Sequence, residues 1–261
     1  MKHIVSFFLL AGLWLITGAG CAPAVQIQPT VTVVPATATT SPTQLPPTPT
    51  LDAATFLGNF HWFGNAAVLY HGSQSVYFDP VGLAGNVPPA DIILISHAHS
   101  DHWSIPDIKK ITGPHTTLIV SPNVVGSNDT TKSQTGIQAT ILHEGESIDV
   151  GAVHIQAVAA YDTTFHLRAS GGLGYVVTID GHKIYFAGGT NYYPEISQIQ
   201  SDVVIYPAYT RADVEQTMKV LPAKVVILVH NSIYMAQALD TLLSKEKPQV
   251  NFLLLQPGPL N

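Results

Sequence analysis

From about residue 55 onward the sequence predicts an α+β fold, in which two β-sheets pack face to face with helices on their outer sides. Three observations carry this. Short runs rich in β-branched and aromatic residues follow one another from Phe60, bounded by Gly, Asn and Ser. Asp180-Gly181 stands between two such runs, Leu173–Ile179 and Lys183–Ala187, and is a two-residue hairpin signal. Beyond Val203 the strand runs alternate with longer helical stretches.

In chain order, Phe60–Phe63, Ala66–Tyr70 and Ser75–Phe78 read as successive strands, separated by turns at Gly64-Asn65 and His71-Gly72-Ser73. Ile92–Ile95 is a continuous apolar run, the pattern of a strand covered on both faces. Ser104 opens a helix, with Asp107 three residues on in a capping-box arrangement. Thr117–Ser121, Gln138–Leu142 and Val153–Ala159 are further strands. After the hairpin, Val203–Tyr206, Val225–Val229 and Asn251–Leu255 are predicted strands, and Arg211–Leu221 and Ser232–Lys245 are predicted helices.

The first 54 residues read differently. Lys2 and His3 precede an apolar run from Ile4 to Ile16, followed by Thr17-Gly18-Ala19-Gly20-Cys21. The run falls short of the roughly 20 apolar residues that span a bilayer. It has the order of a secretory signal: a charged start, an apolar middle and small residues at the end. Cys21 is the only cysteine of the chain, and its setting resembles a lipobox, with Gly18 where an aliphatic residue usually stands. Residues 1–20 are then a lipoprotein signal peptide and Cys21 carries the lipid. The alternative is an ordinary signal peptide cut near Ala19 or Ala22. Residues 21–54 include a Pro- and Thr-rich tether, leaving 55–261 as the folded domain. This predicts attachment to a bilayer through Cys21, on the extracytoplasmic side of a bacterial envelope.

Hydrophobic residues make up 46% of the 261 and charged residues 11%, with a formal net charge of −6. That balance argues against nucleic acid as a partner, because phosphate backbones repel an acidic surface. With Cys21 committed elsewhere, neither a disulfide framework nor a thiolate metal site is available. The sequence leaves the oligomeric state open.

The chemistry concentrates in His97-Ala98-His99-Ser100-Asp101-His102. His97 and His99 are two apart at the end of the Ile92–Ile95 strand, so their side chains leave on one face. Asp101 and His102 follow in the turn before the helix at Ser104. Four nitrogen and oxygen donors within six residues suit zinc foremost, with iron or manganese as alternatives.

Ile95–His102 resembles the signature of the metallo-β-lactamase superfamily, and the likeness covers roughly residues 58 to 235. Val76-Tyr77-Phe78-Asp79-Pro80 is similar to the strand and turn before that signature. Gly172–Val177 with Ile179–Tyr185 is similar to the hairpin after the second metal segment, and Leu228-Val229-His230 to the strand ending in the last ligand. The nearest branch is that of lactonase-like and phospholipase-D-like metal-dependent hydrolases. The resemblance implies a four-layer αβ/βα sandwich with metal at one edge of the facing sheets. It implies His97 and His99 as ligands of a first ion, and Asp101, His102 and His230 as ligands of a second. It further implies that Asp101 orients the attacking water and that Asp79 supports the ligands from behind.

Three positions depart from the family pattern. Ala187-Gly188-Gly189-Thr190 has Gly189 where relatives carry a bridging aspartate. Tyr161-Asp162 occupies the place of a third histidine, for which His166 is the counterpart in one branch; Asp162 puts a carboxylate where that branch has Asn. Asn65 stands where relatives have histidine. Two close cations need an anion between them, so one ion is expected in preference to two. Two readings follow: a hydrolase of an ester, lactone or phosphodiester, or a lipid-anchored binding module that has lost the reaction. The histidine cluster favours the first and Gly189 the second, with the balance on the hydrolase. A small-molecule substrate is expected. His61, His71, His115, His143, His154 and His182 read as histidines outside the site, His182 as solvated, and Glu195 as a helix-start charge.

Overall fold

Alternation along the central strands sets the layers. In the computed structural model, which describes residues 52–126, 128–230 and 233–260, Ile92 and Leu94 face one apolar cluster while Ile93 and Ile95 face another. The predicted signal peptide and the predicted lipidation site, Cys21, lie outside the described residues, and the fold lies within the unit Leu45–Asn261.

Helix α1 (Ala53–Gly58) comes first. The strands β1 (Phe60–Gly64), β2 (Ala67–His71), β3 (Ser75–Phe78) and β4 (Ala90–Ile95) follow, then helix α2 (Ile105–Ile111) and β5 (Thr112–Val120). Two short helices, α3 (Pro122–Val125) and α4 (Thr131–Thr135), lead to β6 (Ala139–Ile141). These six strands form one sheet in sequence order. The second sheet holds β7 (Ser147–Val150), β8 (Val153–Ala159), β9 (Leu173–Ile179), β10 (His182–Phe186), β11 (Val203–Pro207), β12 (Val225–Val229) and β13 (Asn251–Phe252), also in sequence order. Helices α5 (Arg211–Val220) and α6 (Ile233–Glu246) flank β12 in the chain.

The largest core lies between the sheets. Val68, Phe78, Leu94 and Ile119 of the first meet Ile155, Tyr175, Phe186, Ile205 and Ile227 of the second. Outside the first sheet, Ile108 and Ile111 of α2 cover Tyr77, Ile93 and Val120. Outside the second, Val214 and Met218 of α5 and Leu239 and Leu243 of α6 cover Tyr206, Val226 and Leu228. The order is helix, sheet, sheet, helix, so the four-layer αβ/βα sandwich is the observed fold.

The hairpin forms at Asp180-Gly181, both at positive φ (52° and 79°) as a type I′ turn requires. The Asp180 carboxylate then accepts from Tyr70 Oη at 2.6 Å and Ser73 N at 3.0 Å, tying the second sheet to the β2–β3 turn. Ser104 caps α2 as its spacing with Asp107 predicted.

Several elements differ from expectation. The predicted linker ends inside α1, because Asp52 caps that helix and Phe56 is buried. β5 starts at Thr112, ahead of Thr117, and β7, α3 and α4 have no counterpart in the sequence pattern. β13 stops at Phe252 instead of Leu255; Pro257 and Pro259 beyond it offer no N–H to a ladder. Among the described residues no helix is long and apolar enough to cross a membrane.

Candidate metal centre

The parallel pairs β3–β4 and β10–β11–β12 end together, and the chain leaving each end supplies a polar residue. Phe78 is followed by Asp79, Ile95 by Ser96 and His97, Phe186 by the Ala187–Thr190 turn, and Val229 by His230. Carboxyl ends of parallel strands are where open sheets of this kind build their sites. The β1–β2 turn adds Asn65, and the segment after β8 adds Asp162 and His166.

These residues form three overlapping groups whose donor atoms lie within 4.8 Å of one another: His97, His99 and His166; Asp101, His102 and His230; and Asp79, His97 and His102. In the first, His97 Nε2 lies 3.2 Å from His99 Nδ1. In the second, His102 Nε2 and His230 Nε2 are 2.9 Å apart, and Asp101 Oδ2 stands 3.4 Å from His230 Nε2 and 3.7 Å from His102 Nε2. All six sequence-predicted ligand residues therefore come together, with His166 in the place the resemblance left to a third histidine.

Oxygen partners fix the rings from behind. Asp79, fully buried, contacts His102 Nδ1 at 2.6 Å, and accepts from Ser96 N at 2.7 Å and Ser96 Oγ at 2.5 Å. Ser96 Oγ is in turn 2.8 Å from His97 Nδ1. Asp162 Oδ2 lies 2.7 Å from His166 Nδ1. A carboxylate on Nδ1 holds the proton there and leaves the Nε2 lone pair facing the centre, the arrangement that surrounds metal-bound histidines. The donor set and its backing thus fit a divalent ion with nitrogen and oxygen ligands.

Asp162 does not replace the missing bridge. Its Oδ1 accepts from the backbone N–H groups of Thr164, Phe165 and His166 at 2.6 to 3.1 Å, while Oδ2 serves His166. Burial works to raise this carboxyl, but His166 and those N–H groups outweigh it and hold it at about 2. Nor is there open space at Gly189: a Cβ there would stand 2.8 Å from His166 Nε2 and 2.9 Å from His97 Cε1.

Asn65 has a positioning role. Its Nδ2 donates to the Asp101 carbonyl at 2.9 Å and reaches Asp101 Oδ2 at 3.3 Å. Its own carbonyl accepts from His230 N at 2.7 Å and from Trp62 Nε1 at 2.8 Å. Partial burial works to raise Asp101, but the His102 imidazole and the Asn65 amide outweigh it and hold the carboxyl below its ordinary range. Burial first, then the imidazoles of His102, His166, His99 and His230, press His97 far below an ordinary histidine. Burial and His102 lower His230 likewise. Both rings are neutral near pH 7, as ligation requires.

Sequence reasoning gave no role to Ser96, Arg168, Thr190 or Tyr209. Arg168 donates to Glu195 Oε1 at 2.7 Å and pairs with Glu144, its guanidinium 5.2 Å above the Tyr161 ring. Tyr161 Oη donates to Glu195 at 3.0 Å, and Thr190 Oγ1 donates to the Tyr161 carbonyl at 2.8 Å. Together they secure the loop that presents His166. Glu195 therefore serves this clamp and opens only a 3₁₀ turn, Pro194–Gln198. Arg168 lies 24 and 27 residues from Glu144 and Glu195, a separation that gives no sequence signal for such a cluster. His61 instead meets the Gly258 carbonyl, and His71 meets Ser75 Oγ. His182 is partly buried rather than fully solvated: its ring packs 4.2 Å from that of Phe56.

The comparisons agree with this geometry. The family model of the beta-lactamase superfamily domain matches residues 59–230. A UPF0173 metal-dependent hydrolase of Methanosphaerula palustris is 29% identical over 204 residues, 71% of this chain and 88% of the relative. One from Methanocorpusculum labreanum is 31% identical over 190 residues, covering 66% and 82%. The fold is also similar to a Parabacteroides distasonis crystal structure described as a metal-dependent hydrolase, with a TM-score of 0.63, 24% identity, and 76% and 93% covered. The chain belongs to the beta-lactamase superfamily.

Proposed function

We propose that this member of the beta-lactamase superfamily is a metal-dependent hydrolase acting on an ester, lactone or phosphodiester outside the cytoplasm, held at a membrane by a lipid on Cys21. The observation that carries the reading is the pair of three-donor sets, His97/His99/His166 and Asp101/His102/His230, with His97, His102 and His166 each backed by an oxygen.

His97, His99 and His166 would hold one ion, and Asp101, His102 and His230 another. Zinc suits these donors first, and iron or manganese also accepts them. The chemistry such an ion would supply there is a Lewis acid for the scissile oxygen and a water acidic enough to act as hydroxide near neutral pH. Asp101, half exposed and steered by the Asn65 amide, accepts a hydrogen bond from the attacking water and orients it. Asp79 and Asp162 keep the proton on Nδ1 of His102 and His166 as the ligands bind.

One tightly held ion in preference to two is supported by Gly189, which offers no anion between the sets, and by Asp162, whose oxygens are engaged. Gly189 is also what favours the second reading, a binding module that keeps the pocket without the reaction. Elemental analysis of purified protein, beside turnover of p-nitrophenyl acetate, γ-butyrolactone and bis(p-nitrophenyl) phosphate, separates the two. The hydrolase reading expects turnover of one class that His99→Ala abolishes. Bound metal with no turnover of any class sinks it. For the anchor, Cys21→Ser should move the protein from the detergent to the aqueous phase in Triton X-114.

A further inference from the structure

Buried tyrosines in this fold share a habit. Tyr70 Oη donates to Asp180, Tyr77 to the Pro88 carbonyl, Tyr175 to the Ile95 carbonyl, Tyr193 to the Ala159 carbonyl, and Tyr206 to Asp213. Tyr209 breaks the habit. Its hydroxyl is buried and has no hydrogen-bond partner among the described residues. A buried hydroxyl left unpaired is destabilising, so a retained one calls for an explanation.

Its place supplies one. Tyr209 lies two residues beyond β11 and directly before Thr210, whose side chain caps α5. The preceding Ala208 N donates to the Val229 carbonyl at 2.7 Å, so the backbone is held by two strands and a helix. The ring centroid lies 4.7 Å from that of His230 in an edge contact, and 6.4 Å from that of His166 in a near-parallel one. His166 and His230 belong to different donor sets. Tyr209 is therefore an aromatic residue in ring contact with a member of each set, on hydrogen-bonded backbone, with a hydroxyl that has no partner among the described residues.

We propose that Tyr209 is a catalytic residue whose hydroxyl donates a hydrogen bond to the substrate oxygen that becomes negative during hydrolysis. A phenol is protonated at neutral pH, so it arrives as a donor. Attack on an ester, lactone or phosphodiester moves an electron pair onto the carbonyl or phosphoryl oxygen, and a fixed donor there stabilises the transition state over the ground state. The substrate then supplies the acceptor that none of the described residues provides. This rests on the hydrolase reading for its catalytic arm, while anion binding tests the hydroxyl independently of turnover.

Tyr209→Phe keeps the ring and removes the donor. In zinc-loaded protein, inorganic phosphate serves as the tetrahedral probe, its Kd measured by calorimetry for wild type and variant. Phosphate should bind about tenfold more weakly to the variant, with zinc content and zinc affinity unchanged. On whichever of the three substrates wild type cleaves, kcat should fall on the order of a hundredfold with KM little altered. The Tm of the metal-free variant should equal or exceed that of wild type, since an unpaired buried hydroxyl has been removed. Wild type binding phosphate no better than the variant overturns the proposal. Loss of zinc in the variant also overturns it, by making Tyr209 a ligand. Absence of turnover in wild type overturns the hydrolase reading alone, and phosphate affinity still decides the role of the hydroxyl.

Discussion

Replacing Asp79 by Asn is the sharpest perturbation of the centre, because it changes almost nothing except a charge and a proton. Asp79 has φ +42°, a conformation Asn tolerates nearly as well, so the backbone need not move. Oδ1 can go on accepting from Ser96 N, now 2.7 Å away. The new NH₂ group then replaces Oδ2, facing Ser96 Oγ and His102 Nδ1. An amide donates where the carboxylate accepted, so His102 must turn its Nδ1 into an acceptor and carry its proton on Nε2. That is the nitrogen 2.9 Å from His230 Nε2, and a protonated Nε2 cannot ligate. A hydrogen bond to a charged group contributes about 1.5–3 kcal/mol, which at 1.4 kcal/mol per decade is roughly a 10- to 150-fold loss of metal affinity. The assay is zinc competition against a chromophoric chelator at pH 7.5, with secondary structure checked by circular dichroism. Zinc affinity within a factor of two of wild type would refute the argument that Asp79 sets the tautomer of His102.

Asn65→Gly keeps a positive φ but drops the restraint on Asp101; kcat should fall several-fold with Tm nearly unchanged, whereas Asn65→Ala should lower Tm through strain of about 1–2 kcal/mol. Gly189→Asp should destabilise the metal-free protein, since its Cβ meets His166 and His97, yet raise zinc stoichiometry toward two by elemental analysis. Two tight ions already in wild type would contradict the one-ion reading. His97 and His230 are both depressed below the ordinary 6.5 in the folded chain. Above about pH 6.5 neither state protonates them and their contribution is intact; below it the unfolded chain takes protons the folded chain refuses. Metal-free Tm should therefore fall between pH 7.5 and 5.5, with a limiting slope of about 1.4 kcal/mol per pH unit for each histidine, and His97→Gln should flatten the profile.

The strands that build the site were legible because burial on both faces leaves an unbroken apolar run, as at Ile92–Ile95, and because φ > 0 leaves a residue signature, as at Asp180-Gly181. The six converging donors were legible through spacing and resemblance. Support was less so. Asp79 was placed behind the ligands, but Ser96 as the joint between Asp79 and His97 depends on a side chain turning inward at a strand end, which no local pattern encodes. Asn65 read as a loss because a histidine was expected; what it does for Asp101 depends on residues 36 positions apart meeting in space. β7 escaped because it is only four residues long and none of them is buried, as befits an edge strand.

Of the four described non-glycine residues with positive φ, Asn65, Asp79 and His230 lie in the centre. Strained backbone persists where its surroundings over-determine it, and here the surroundings are one another. His230 N donates to the Asn65 carbonyl, Asn65 holds Asp101, and Asp79 holds both His102 and the Ser96 that backs His97. Every member of Asp101/His102/His230 is thus tied to a strained residue at a strand end or hairpin turn. The other set depends on a loop for His166, clamped at its base by Arg168 and Asp162, and on His99, which is exposed and has no carboxylate behind it among the described residues. The Asp101/His102/His230 set also carries a carboxylate, which the all-imidazole set does not, and so attracts a dication more strongly. If the centre holds a single ion, preorganisation and charge both place it at Asp101/His102/His230. Asp79→Asn, which acts on that set, should then weaken the tight ion by the roughly 10- to 150-fold worked above, while His99→Ala should leave its affinity unchanged.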